Sequence, residues 1–150
     1  MSIKIVAENK KARFDFHILD VYEAGMVLVG SEVKSLRAGH CQLKDSYISF
    51  VADELFLQKA HISQYQASSY NNHAPERLRK LLLSRHEISR IIAGIQEKGQ
   101  TCVPLKVYFK DGFAKVEIAM AKGKKKGDKR EAEKTKDVNR ELQRHLRKGK

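Results

Sequence analysis

The dipeptide Asp111-Gly112 constrains the fold more than any other stretch, because it sits between two runs that alternate apolar and polar residues. Before it, Val103, Leu105, Val107 and Phe109 fall at every second position; after it, Ala114, Val116, Ile118 and Met120 do the same. A period of two places alternate side chains on one face of a strand. Asp-Gly tolerates the positive backbone angles that a two-residue hairpin turn demands. An antiparallel hairpin over 101–121 is therefore predicted, with one face buried.

The rest of the chain points the same way. Ser46 to Val51 and Leu55 to His61 alternate on either side of Ala52-Asp53-Glu54, a second hairpin. Phe14 to Tyr22 is rich in β-branched and aromatic residues and reads as a strand, followed by a turn at Gly25 and a short apolar run at Met26 to Val29. Ser31 to Arg37 reads as a short helix, capped by Ser31 and ended by Gly39. Ser84 and Glu87 form a capping box, and Ile88, Ile91, Ile92 and Ile95 recur at the spacing of one helix face before Gly99. Residues 63–76 are polar and read as a surface loop. About six short strands with two or three helices predict a mostly β fold, a small OB-like antiparallel barrel. Such barrels bind nucleic acid with their faces and loops.

Charge divides the chain. It carries 30 Lys and Arg against 18 Asp and Glu, a net of +12. Residues 122–150 hold 13 basic and 5 acidic residues, a net of +8, which leaves +4 for the first 121. The expected organisation is a barrel over 1–121 and a basic tail over 122–150. Pairs such as Glu131/Lys134 and Glu141/Arg144 favour a helix in the tail, but Val138, Leu142 and Leu146 give only a thin apolar stripe. A helix so short and polar is marginal in water, so the tail is expected to be disordered until a partner makes it helical. A folded body with a basic arm is the layout of a polyanion binder, and RNA is the expected polyanion.

Several classes are set aside. No window approaches the roughly 20 apolar residues of a membrane span, and the N-terminal residues lack a signal-peptide core. A cytoplasmic protein that binds no membrane is expected. Cys41 and Cys102 form neither a CxxC pair nor a zinc spacing and read as ordinary small residues. The histidines at 17, 40, 61, 73, 86 and 145 fall in separate segments. Gly123 to Gly127 lacks the spacing of a phosphate-binding loop. No catalytic set, metal, cofactor or small-molecule substrate is expected. The rival in that class is a small RNA-processing enzyme using Glu23, Glu32 or His61.

Two basic clusters lie in the body. Lys10, Lys11 and Arg13 follow Asn9, and either contact phosphates or form a solvated arm. Arg77, Arg79, Lys80, Arg85 and Arg90 surround Leu81-Leu82-Leu83. Charge beside an apolar patch suits RNA, although by spacing alone the leucine triplet reads as core.

Asn9 to Arg13, Tyr22-Glu23-Ala24-Gly25, Gly30 to Gly39, Lys44-Asp45-Ser46-Tyr47, Arg79 to Leu83, Ala114 to Ala119, Ala121 to Lys125 and Asp128-Lys129-Arg130 occur in that order. Together they resemble the SsrA-binding protein family, also called small protein B, of bacterial trans-translation. The resemblance implies an OB-like barrel that binds the tRNA-like domain of transfer-messenger RNA and delivers it to the A site of a stalled ribosome. The tail would engage the small-subunit decoding centre and the empty mRNA channel. The family's RNA contacts fall on Asn9, Glu23, Leu82 and Lys115, with Lys10, Lys11, Arg13, Arg79 and Lys80 as basic neighbours. The ribosome-contacting tail positions are Lys124, Lys125, Asp128, Lys129 and Arg130. One departure is Gly127, where the family often carries an aromatic residue or His. The alternative partner assignment is a general OB-type RNA chaperone or a ribosome-associated RNA-binding protein.

Overall fold

The computed structural model describes residues 3–65 and 72–124. In chain order the elements are β1 (Ile3–Glu8), α1 (Lys10–Asp15), β2 (Phe16–Met26), α2 (Gly30–Arg37), β3 (Cys41–Gln42), β4 (Tyr47–Val51), β5 (Glu54–Gln58) and β6 (His61–Ile62). They continue with β7 (Arg79–Leu82), α3 (Arg85–Lys98), β8 (Thr101–Lys110) and β9 (Phe113–Gly123).

Six of these strands form a ring, all antiparallel, in the order β8, β4, β5, β7, β2, β9 and back to β8. The length of β8 makes closure possible. Its first residues pair with β4 through Cys102 and Ile48, its last residues pair with β1 from Lys106 to Lys110, and its other edge pairs with β9 throughout. Closing a sheet on itself removes exposed edges that would otherwise invite association. Pro104, which cannot donate to a ladder, lies where the β8–β9 register shifts. β3 and β6 form a separate two-stranded sheet.

The ring encloses one apolar core. Ala24, Met26, Leu55, Leu57, Leu81, Cys102, Val107, Phe109, Val116, Ile118 and Met120 point inward, and Leu36 of α2 and Ile91 of α3 pack onto them. The isoleucine face of α3 is the predicted one, with the Ser84 cap and Gly99 in the left-handed region. A smaller cluster lies on the opposite face of β8 and β9, where Ala12 of α1 covers Val103, Leu105, Ala119 and Ala121. Burial pushes the thiol of Cys102 up to about 12 and that of Cys41 up to about 11, so both stay protonated and inert at neutral pH.

Asp111 and Gly112 have φ values of 50° and 86°, the geometry the dipeptide predicts. The β4–β5 turn has the same handedness without a glycine, with Ala52 at φ 49° and Asp53 at φ 63°. The left-handed region costs an alanine about 1–2 kcal/mol, partly offset in a glycine by the entropy it loses on folding. Ala52→Gly is therefore expected to stabilise the protein by about 0.5–1 kcal/mol, read as a higher denaturant midpoint with an unchanged slope.

Four expectations are corrected. β1 precedes the first predicted strand. Gly25 makes no turn but lies within β2, paired with both Leu82 and Lys115. Ser31 does not cap α2: the cap is Val29, whose N–H donates to the Glu32 carboxylate at 3.0 Å, while the Ser31 hydroxyl meets His73 Nδ1 at 2.8 Å. The folded body also extends past residue 121, since Gly123 pairs with Phe16 and the Lys124 N–H donates to the Asp15 carbonyl at 3.0 Å. The expected helix-on-binding tail lies outside the described residues.

Candidate nucleic-acid interface

Strand alternation decides which side chains leave the core. In β2, Ala24 and Met26 point in, so Glu23 and Gly25 point out. In β7, Arg79 and Leu81 are buried and Lys80 and Leu82 are not; Leu82 is 52% exposed. In β9, Val116 and Ile118 are core, which turns Lys115 and Glu117 outward. Beyond the irregularity at Pro104, Val107 and Phe109 are core and Lys106, Tyr108 and Lys110 take the outer side of β8.

Register then assembles these residues. Leu82, Gly25, Lys115 and Tyr108 are successive cross-strand partners in one row. Glu23, Glu117 and Lys106 form the next row. Gly25 leaves a shallow floor: a Cβ there would lie 3.5 Å from Leu82 Cβ and 3.8 Å from Lys115 Nζ. An apolar wall and an ammonium therefore border a patch of bare backbone, where a flat group can approach closely.

Glu23 is held in place as an acceptor. The Tyr108 hydroxyl donates to its carboxylate, and Lys110 Nζ lies 3.5 Å from both oxygens. The Tyr108 hydrogen bond, with Lys110 and Lys115 nearby, outweighs partial burial and keeps the Glu23 carboxyl below its ordinary range. The Tyr108 phenol is pushed above its ordinary value by burial and by this bond, so it stays a donor. Lys106 Nζ lies 3.6 Å from Glu117 and 5.7 Å from the centre of the Tyr108 ring, and Arg13 Nη2 lies 3.9 Å from Glu117.

The candidate residues divide accordingly. Glu23, Lys80, Leu82 and Lys115 share the outer face, with Lys80 paired to Glu54 at 2.8 Å. Lys10, Lys11 and Arg13 radiate from α1, Lys11 reaching Asp45 at 3.8 Å. The Asn9 side chain is not outward. It is 8% exposed, its Oδ1 accepts the Ala12 N–H at 3.2 Å to cap α1, and its Nδ2 donates to the Pro104 carbonyl at 3.0 Å.

Arg79 is the larger correction. It is fully buried: Nε donates to Glu32 at 2.7 Å, Nη1 to the Ala60 carbonyl at 2.7 Å and Nη2 to the Pro75 carbonyl at 3.0 Å. Its guanidinium is spent inside the protein, in a strand whose inward positions are 79 and 81. The leucine triplet splits for the same reason, Leu81 entering the core and Leu82 facing out. Lys124 lies 6.0 Å from the centre of the Phe14 ring. Lys125, Asp128, Lys129 and Arg130 lie outside the described residues.

Sequence reasoning missed Tyr108, Lys106 and Lys110, although they are the polar half of the alternation that predicted β8. The residues an RNA-processing enzyme would need do not share partners. Glu32 is buried between Arg77 and Arg79, Glu23 faces outward, and His61 Nδ1 lies 3.8 Å from Glu76. No group of His, Cys, Asp or Glu among the described residues could hold a metal ion, and none of the described helices is long and apolar enough to cross a membrane.

A ring of six antiparallel strands whose outer face carries basic and apolar side chains is an OB-like arrangement, a class of fold often used to bind nucleic acid. The chain belongs to the SmpB protein family, whose family model matches residues 6–148. The SsrA-binding protein of Bdellovibrio bacteriovorus is 61% identical over 146 residues, covering 97% of this chain and 96% of the relative. That of Syntrophobacter fumaroxidans is 56% identical, covering 94% and 88%. A solved structure described as tmRNA-SmpB on a journey to the center of the bacterial ribosome matches with a TM-score of 0.68 and 46% identity, covering 84% of this chain and 92% of the other.

Proposed function

We propose that this chain binds the tRNA-like domain of transfer-messenger RNA with the outer face of β2, β7, β8 and β9 and delivers it to the A site of stalled ribosomes. The segment after Lys124 engages the decoding centre and the empty mRNA channel. The observation that carries this reading is the shared register row of Leu82, Gly25 and Lys115 beside Glu23. Lys115 meets phosphate, Leu82 and the Gly25 floor meet a splayed base, and the Glu23 carboxylate accepts from a base amino group, as a carboxylate does from cytosine. Lys10, Lys11 and Arg13 extend the phosphate track from α1. The names of the relatives, which bind SsrA, and the tmRNA-bearing structural neighbour support the same partner. The work is complementarity of shape and charge in the cytoplasm, without a chemical step.

The test is binding of the purified protein to transfer-messenger RNA at near-physiological salt with excess bulk tRNA present. Binding that survives the competitor is expected; binding that collapses would leave a general RNA chaperone. Glu23→Ala, Leu82→Ala and Lys115→Ala are each expected to weaken the complex by about 1–3 kcal/mol. Because all three side chains are at least partly exposed, their melting temperatures should stay close to that of the parent.

A further inference from the structure

The outer face does not end at Lys115. Phe113, two residues earlier on β9 and about 7 Å away along the strand, is 70% exposed, more than any other large apolar residue described. It shares the outward side with Lys115, because Ala114 and Val116 pack toward the core between and beyond them. Phe113 pairs with Lys110, and Lys110 pairs with Ile3. Ile5 pairs with Tyr108, which continues the row of Lys115, Gly25 and Leu82. Ile3 and Ile5 are themselves 55% and 48% exposed. The β8–β9 turn thus presents an open aromatic ring beside two half-exposed isoleucines, on the same face as Lys110, whose Nζ reaches Glu23, and Lys115, whose Nζ lies over Gly25.

We propose that Phe113 is a stacking platform for an unpaired nucleobase, extending the RNA interface along β9 from Lys115 to the hairpin tip. The proposal rests on the RNA-binding reading above. Charge and continuity select the occupant. An apolar protein segment would leave Lys110 and Lys115 to be desolvated, whereas a nucleotide places its base on the ring and its phosphate against the ammonium groups. The closed hairpin fixes the backbone at Phe113 before RNA arrives, so only the freedom of one side chain is lost on binding.

The chain contains no tryptophan, so Phe113→Trp creates a lone indole reporter at the site. Titrating that variant with the tRNA-like domain of transfer-messenger RNA is expected to quench its emission, with affinity close to that of the parent. Phe113→Ala and Phe113→Leu are both expected to weaken binding by about 5- to 150-fold, with melting unchanged. The leucine variant matters because it keeps the apolar surface and loses only the aromatic face. Unaltered indole emission while the RNA demonstrably binds would overturn the stacking assignment and leave the wider RNA face intact. Parent-like binding by Phe113→Leu would overturn it too. So would Phe113→Ala that binds RNA normally yet fails at the ribosome, which would assign the tip to a ribosomal surface. Failure of the parent chain itself to hold the RNA against bulk tRNA would instead sink the RNA-binding reading on which all of this stands.

Discussion

A chain ending at Lys124 is expected to bind transfer-messenger RNA within a few-fold of the full-length affinity and to support no tagging at stalled ribosomes. Glu23, Leu82, Lys115 and their neighbours all belong to the ring, which such a chain keeps whole. What it loses is residues 125–150, with eleven basic and five acidic side chains and the Asp128-Lys129-Arg130 string. The cut belongs after Lys124 rather than at residue 122, because Gly123 pairs with Phe16 and Lys124 bonds to Asp15. A shorter chain would unzip the end of β9 and confuse folding with function. Filter binding reports the first property and tagging of a non-stop reporter in a reconstituted translation reaction the second. Equal loss of both, or tagging by the truncated chain, would refute the division of labour.

Arg79→Ala should be the most damaging single substitution in the folded body. Arg79 and Glu32 are both wholly buried, and Arg77 adds a second bond to Glu32 at 2.6 Å. This cluster ties α2 to β7 and, through the Ala60 and Pro75 carbonyls, to the chain on either side of β6. Removing one partner of a buried pair strands the other, at a cost of about 3–5 kcal/mol against a typical total of about 5–15 kcal/mol. Arg79→Lys should recover little, since an ammonium cannot reach three acceptors in a plane. Denaturant melts will read both.

The same cluster sets a pH dependence. Burial pushes the Glu32 carboxyl up, but the Arg77 hydrogen bond, the Val29 N–H and Arg79 together hold it below its ordinary value. Its contribution to stability is therefore full above the ordinary carboxylate range near 4.5 and is lost as pH falls through the lower folded value.

How much of this was legible in the sequence depended on whether a residue's partners were near it in the chain. The Asp111-Gly112 hairpin and the α3 face follow from local spacing, and both are present, but the irregularity at Pro104 puts Val103 and Leu105 on the face opposite Val107 and Phe109, which a strict period of two did not predict. Gly25 was misread because a glycine in an apolar stretch signals a turn or a close backbone approach equally well, and only the pairing of β2 with β7 and β9 decides. Arg79 was misread because a basic cluster looks uniform until strand alternation sorts it, and its acceptors lie on Glu32, Ala60 and Pro75. Leu82 was the converse case: spacing counted it with its neighbours as core, and the family resemblance marked it as an RNA contact. Tyr108 lies in the outward half of the β8 alternation, but its part in the site emerges only once β8 and β2 are known to flank β9, which places its hydroxyl on Glu23.

The pairing of β2 with β9 joins residues about a hundred positions apart, from Phe16 with Gly123 to Gly25 with Lys115. Protein synthesis is directional, and β9 is the last of the described strands to leave the ribosome. Until it does, β2 and β8 lack their shared neighbour, Lys115 has no place in the row, and the ring is an open sheet with bare edges. The RNA surface therefore cannot mature piecemeal on a growing chain. A product that stops before β9 has no usable face, whereas one that stops after Lys124 keeps the whole ring and would occupy the RNA without supporting tagging.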